Sequence, residues 1–196
     1  MNGVYIIGRD RLPERVVLAE GESLQATLVV LPGQRADVNL QIELAGPGAS
    51  LDLAGLYLCT CNEKVNLHID VRHTCGGCNS RQLFKGLVGG TSRVAFDGLV
   101  YVGPDAQKTS ALQENHSILL SDEAFVETRP QLEIYADDVE CSHGATTGYL
   151  SEDELFYMRS RGIPEGEARR LQIISFLSGV LCRLPDELRE QIEANL

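Results

Sequence analysis

Tryptophan is absent from the chain, and phenylalanine and tyrosine bring the aromatic share to only 6%. Stacking platforms for bases or sugar rings are therefore sparse. Positive charge is also short: 17 Lys and Arg stand against 28 Asp and Glu, a net charge of −11. A surface this acidic repels phosphate backbones, so no nucleic-acid partner is expected. Six cysteines in 196 residues are too few for a disulfide scaffold. No charged, apolar, small-residue signal pattern opens the chain, and no apolar run approaches the length of a membrane span. The expectation is a cytoplasmic protein with no membrane partner, whose thiols stay reduced and open to metal or sulfur chemistry. Phosphate-binding loops, dinucleotide glycine patterns and nucleophile elbows are missing too, so no nucleotide is expected to bind this chain.

What remains is enough to fold. Hydrophobic residues make up 43% of a length that suits one domain, or one domain with a small appendage. The first three quarters alternate apolar and polar residues in short runs. These are Arg15–Glu20, Leu24–Leu31, Asp37–Leu44, Ser50–Leu58, Lys64–His73, Ser80–Val88, Ser92–Val102 and His116–Ser121. Period-two alternation marks strands with one buried face, and "LPGQ", "AGPGAS", "CGGCNS", "VGG" and "VGPDA" punctuate them. Short, numerous strands without an intervening helix, with Val, Leu and Ile inward, favour a stacked β-solenoid. A jelly roll fits the same spacing nearly as well.

The last quarter reads as helix. Ser151 followed by Glu154 has the form of a capping box, and Gly162 suits the position just past a helix end. Pro164 suits the first turn of a second helix, in which Leu171, Ile174, Leu177, Ser178 and Leu181 give a stripe. Pro185 breaks that helix and opens a third.

Three constellations could carry chemistry. Cys141-Ser142-His143-Gly144 lies in a glycine- and threonine-rich turn ahead of the helices. Two residues apart in extended chain, Cys141 and His143 share a face, and both are good ligands for iron or zinc. Two ligands do not complete a site, and the plain alternative is a buried thiol and a bonded imidazole at a corner where Gly144 and Gly148 supply backbone freedom. Cys59 and Cys61, together with His73 and the Cys75-Gly76-Gly77-Cys78 turn, could form a zinc or thiol-redox site. They could equally fill the interior of the strands. Asp137 and Asp138, with Glu133 and Glu140, offer carboxylates of the kind glycoside chemistry uses, although neighbours on a strand point apart. His68 and His116 stand isolated and read as structural.

Residues 106–163 carry longer patterns, above all "RPQLEIYADDVECSHGAT" and "DELFYMRSRGI". These closely resemble the signature of the SufB/SufD family in its SufD-like form. A looser resemblance extends through "HTCGGCNSRQLFKGLV" and "EARRLQIISFLSGVL". The resemblance implies a mainly β chain: a right-handed parallel β-helix over residues 1–150, then a small α-helical domain over 151–196. It implies a non-catalytic subunit of a scaffold on which an iron–sulfur cluster is transiently assembled at an interface. Its partners would be a SufB-like or identical subunit and a SufC-like ATPase. His143 would be the interfacial ligand or proton donor, and Cys141 its supporting thiol. Phe156, Met158, Ile174, Leu177 and Leu181 would belong to the ATPase-docking element. Relatives carry a long region ahead of the β-helix, whereas this sequence opens almost directly in strands, so a short form is expected. Cys59, Cys61, Cys75 and Cys78 lie outside the resembling pattern.

Overall fold

The alternation in the sequence resolves into two facing parallel sheets wound from one chain. A computed structural model describes residues 3–196. Eleven strands come first: β1 (Gly3–Ile6), β2 (Arg15–Leu18), β3 (Ser23–Val30), β4 (Ala36–Leu44), β5 (Ser50–Cys59), β6 (Lys64–His73), β7 (Asn79–Val88), β8 (Arg93–Val102), β9 (Ser110–Leu119), β10 (Phe125–Ile134) and β11 (Glu140–Gly148). Odd strands stack in the order β1-β3-β5-β7-β9-β11, even strands in the order β10-β8-β6-β4-β2. Every ladder is parallel. A jelly roll is antiparallel, so the solenoid reading holds. Ser50 pairs with Asn79, 29 residues on, and Asn79 with Ser110, 31 residues on.

Strand β6 shows why the winding closes. Val65, Leu67, Ile69 and Val71 are buried between the sheets, while Lys64, Asn66 and His68 face water. In-register stacking sets like residues above like, and Leu40, Ile42, Leu44, Leu53 and Ile69 form one interior column system. Strands β5 and β7 depart from alternation because they are covered on both faces. Leu53 and Phe84 face the interior, whereas Ala54, Leu56, Leu58, Leu83 and Leu87 meet the helices.

Three helices follow: α1 (Glu152–Ser160), α2 (Glu165–Leu181) and α3 (Asp186–Glu193). Ser151 caps α1 by accepting from the Glu154 N–H at 3.3 Å. At the other end Gly162 adopts φ +87°, and the N–H groups of Gly162 and Ile163 return to the carbonyls of Arg159 and Met158. Pro164 and Pro185 stand at the N-caps of α2 and α3, one residue ahead of the first turn.

Several expectations change here. The Cys141–Gly148 segment is not a turn but strand β11, and neither Gly144 nor Gly148 adopts positive φ. Asp137 and Asp138 lie in the β10–β11 turn, where Asp138 pairs with Lys108. Leu177 and Leu181 are buried against the outer face of β5 and β7, with Ile173 and Val180. They fasten the helices to the solenoid and offer no surface to a partner.

Candidate functional site

The last coil of the solenoid is uncovered. Strands β10 and β11 end their respective sheets, and each leaves one row of backbone donors and acceptors unpaired by strand. Pro130 sits within β10, a placement that edge strands tolerate. No proline or lysine blunts β11.

Cys141 and His143 both stand on β11. Cys141 pairs with Ala111 of β9 and His143 with Gln113. Ala111 and Gln113 are buried between the sheets, so their partners share the inward face at the mouth of the solenoid. Cys141 is half-buried against Val100, Val102, Ala106, Ala111 and Ala136. Burial pushes its thiol up, partly offset by the Ala111 N–H. It is therefore a protonated thiol at neutral pH, and a metal that binds it must displace the proton. His143 is exposed. The spacing expected of the two residues is thus met, about 7 Å apart along one strand face.

Two ligands are all this rim supplies. Among the described residues, no three His, Cys, Asp or Glu side chains gather closely enough to hold a metal ion. The proposed set of Cys59, Cys61, Cys75 and Cys78 accordingly does not converge. Cys59 is sealed in the interior, and burial pushes its thiol up to about 12, with Glu63 adding to the effect. Cys78 is buried, its Sγ 3.2 Å from the Gly46 carbonyl, while Cys75 is half-buried and Cys61 exposed. His73 is fully buried, its Nε2 2.8 Å from Ser80 Oγ, and burial pulls it down to about 4. It is a neutral core histidine. On the outer faces, His68 stands 3.5 Å from Asp97, and His116 Nδ1 is 2.7 Å from Thr146 Oγ1.

A second feature lies where α1 and α2 meet the end of the solenoid. A cavity of about 780 Å³ opens there, lined by Ile118, Tyr149, Tyr157, Met158, Leu171 and Phe176 among others. Phe156, on α1 beside it, is 73% exposed. Ile174 is half-buried. Tyr149, Tyr157 and Phe176 were not singled out in the sequence. Their signal was available, however: a run of aromatic residues at a strand-to-helix junction in a chain with few aromatics. No helix among the described residues is long and apolar enough to cross a membrane.

Residues 12–176 match the family described as "SUF system FeS cluster assembly, SufBD core domain". The chain is 37% identical over 182 residues to the iron-sulfur cluster assembly protein SufD of Escherichia coli, covering 92% of this chain and 43% of that protein. It is 41% identical over 157 residues to Protein ABCI7, chloroplastic, of Arabidopsis thaliana, covering 78% of this chain and 33% of that protein. It is 37% identical over 149 residues to a SufBD family protein of Synechocystis, covering 75% of this chain and 32% of that protein. The chain thus spans less than half the length of each of these relatives.

Proposed function

Since the chain belongs to the SufBD core-domain family, we propose that it is a non-catalytic subunit of a Suf-type scaffold on which iron–sulfur clusters are built. In this reading the residues up to 150 form the pairing body, and those from 151 onward form the docking part. The body joins a SufB-like or identical subunit edge to edge through the last coil. A transient cluster, the cargo rather than a resident group, forms at that seam. His143 acts there as ligand or proton donor and Cys141 as supporting thiol. The reduced thiols this requires fit a cytoplasmic setting.

One observation carries the reading: two good ligands on an uncovered edge strand, with no third His, Cys, Asp or Glu gathered beside them among the described residues. Such a half-site makes chemical sense when another chain brings the remainder. Exposed Ile134 and Tyr135 at the same rim give a partner apolar surface to cover. To test it, the chain is purified from native extract and its companions identified, and the complex is reconstituted with ferrous iron and sulfide. A SufB-like subunit and a SufC-like ATPase should travel with it. In His143→Ala the cluster absorption band should fall about tenfold or more. A full band in that variant ends the role given to His143.

The ATPase is proposed to dock at the α1–α2 cavity, with Phe156 and Tyr157 as its aromatic anchors and Met158 and Ile174 flanking them. Aromatic side chains held open to solvent are the residue type that dominates such interfaces. The double variant Phe156→Ala/Tyr157→Ala should weaken ATPase binding roughly thirtyfold in a calorimetric titration, with the melting temperature nearly unchanged. Leu177→Ala should behave differently, lowering the melting temperature because it opens a hole beneath the helices.

A further inference from the structure

We propose that Gln113 is the positioning residue of the rim: its side-chain carbonyl accepts from one ring N–H of His143 and so fixes the imidazole tautomer. The proposal rests on the role given to His143 above, but its geometry stands independently.

Gln82 and Gln113 occupy successive rungs on the inward face of β7 and β9, and both are fully buried. Gln113 Nε2 donates to Gln82 Oε1 at 3.2 Å. An amide that spends its N–H toward the rung below turns its carbonyl toward the rung above, as in side-chain amide ladders. The rung above is His143, because β11 follows β9 in register and ends the sheet. Gln113 Oε1 is buried and has no hydrogen-bond partner within the chain. An unpaired buried carbonyl is costly, and His143, the residue directly above Gln113 in the ladder, has a ring N–H to offer it.

The amide is held in place from the opposite sheet. A Cβ added at Gly98 would lie 2.7 Å from both Gln113 Nε2 and Gln113 Oε1, and 2.6 Å from the Phe96 ring. The amide therefore fills the space that a side chain at 98 would take. In the proposed arrangement the exposed His143 ring turns inward about its two side-chain bonds to meet that carbonyl. Once one ring nitrogen donates inward, the other carries its lone pair outward, toward the seam where a second chain would bring its own ligands. A histidine presented to a metal needs this arrangement, since the bond made by one nitrogen decides which nitrogen is free.

The test is nitrogen-15 NMR of the full chain labelled at histidine, with the His143 signals assigned by their loss in His143→Gln. At a pH where the ring is neutral, the wild-type tautomer ratio should lie about fivefold or more from that of free imidazole. Gln113→Met keeps the shape and removes the acceptor, so the ratio should return to the free value. Gln113→Glu keeps an acceptor, and Gln82, whose Nε2 is unpaired, can turn to donate to it. The wild-type ratio should then be restored. Equal ratios in wild type and Gln113→Met overturn the proposal, as does a free-imidazole ratio in a folded Gln113→Glu, which also decides the matter should Gln113→Met fail to fold. The readout does not pass through cluster formation. A full cluster band in His143→Ala removes the role of the histidine and leaves the ladder intact. A lost band with an unchanged tautomer does the reverse.

Discussion

Gly86→Ala is expected to destabilise the protein by about 4 kcal/mol, enough to unfold a domain of ordinary stability under mild denaturant. Gly86 pairs with Tyr57 on the inward face, and the Tyr57 ring lies where a side chain at 86 would go. An added Cβ would sit 1.7 Å from Tyr57 Cε2 and 2.2 Å from Cζ. The ring cannot retreat, because its hydroxyl is 2.8 Å from Asn115 Oδ1 and 2.7 Å from Ser117 Oγ, two coils further on. Displacing it would add the cost of unpaired buried polar groups to that of overpacking, each about 1–3 kcal/mol. A Cβ added at Gly55 would meet the Phe84 ring in the same manner, 2.1 Å from its Cδ1. Urea titration followed by far-ultraviolet circular dichroism measures the loss, and Gly144→Ala is the control. Nothing lies within 4 Å of a Cβ at 144, so that variant should stay within about 0.5 kcal/mol of wild type. Combining Gly86→Ala with Tyr57→Leu should recover part of the lost stability. If Gly86→Ala melts like Gly144→Ala, the packing described for the interior is wrong.

The contrast between those two glycines marks the limit of what the sequence discloses. Both stand in strands, one beneath an aromatic ring and one on a bare rim, and nothing local separates them. Strands β4 to β8 were legible because one or both faces are buried, and burial writes itself as alternation or as an apolar run. Strands β10 and β11 were not. "FVETRPQLEI" and "ECSHGATTG" are mostly exposed at the open end, so no hydrophobic pattern was required of them. The same openness makes β11 the candidate site, so the candidate strand was the one that pattern reasoning took for a turn. The helices were found from caps and stripes, but a stripe does not say what it meets. Leu177 and Leu181 meet the solenoid, and the exposed aromatics of α1 were left for another surface. The cysteines misled for a geometric reason. In a solenoid the neighbours in space lie about 30 residues apart, so Cys75 and Cys78 share a turn beside the start of β5, while Cys59 stands at the far end of that strand, next to Val88.

Glu63 should make the stability of the solenoid fall steeply in acid. It is only 2% exposed, in the turn between β5 and β6. Its carboxylate accepts from the Gly33 N–H at 2.8 Å, the Cys61 N–H at 2.8 Å and the Ser92 hydroxyl at 2.7 Å. Those donors come from the coil before, its own coil and the coil after, so one side chain ties three turns together. Burial on its own would raise the pKa, but the donors outweigh it and hold the group at about 2, against an ordinary 4.5. A depressed folded pKa means the stabilisation is complete above about 4.5 and is lost as pH falls toward 2. The amount at stake is about 3 kcal/mol. Glu63→Gln offers one acceptor oxygen in place of two and turns an N–H toward donors, so at pH 7 it should cost about 3 kcal/mol. Because the amide does not titrate, urea midpoints of wild type and variant should converge between pH 5 and about 2.5. Parallel curves with a constant gap would show that the carboxylate charge contributes nothing. Glu63 lies on coils remote in sequence from β11, and a substitution there removes no group from the rim. A Glu63→Gln protein still folded at pH 7 should therefore retain the partners and the cluster band that His143→Ala loses, which separates weakening of the stack from loss of the site it presents.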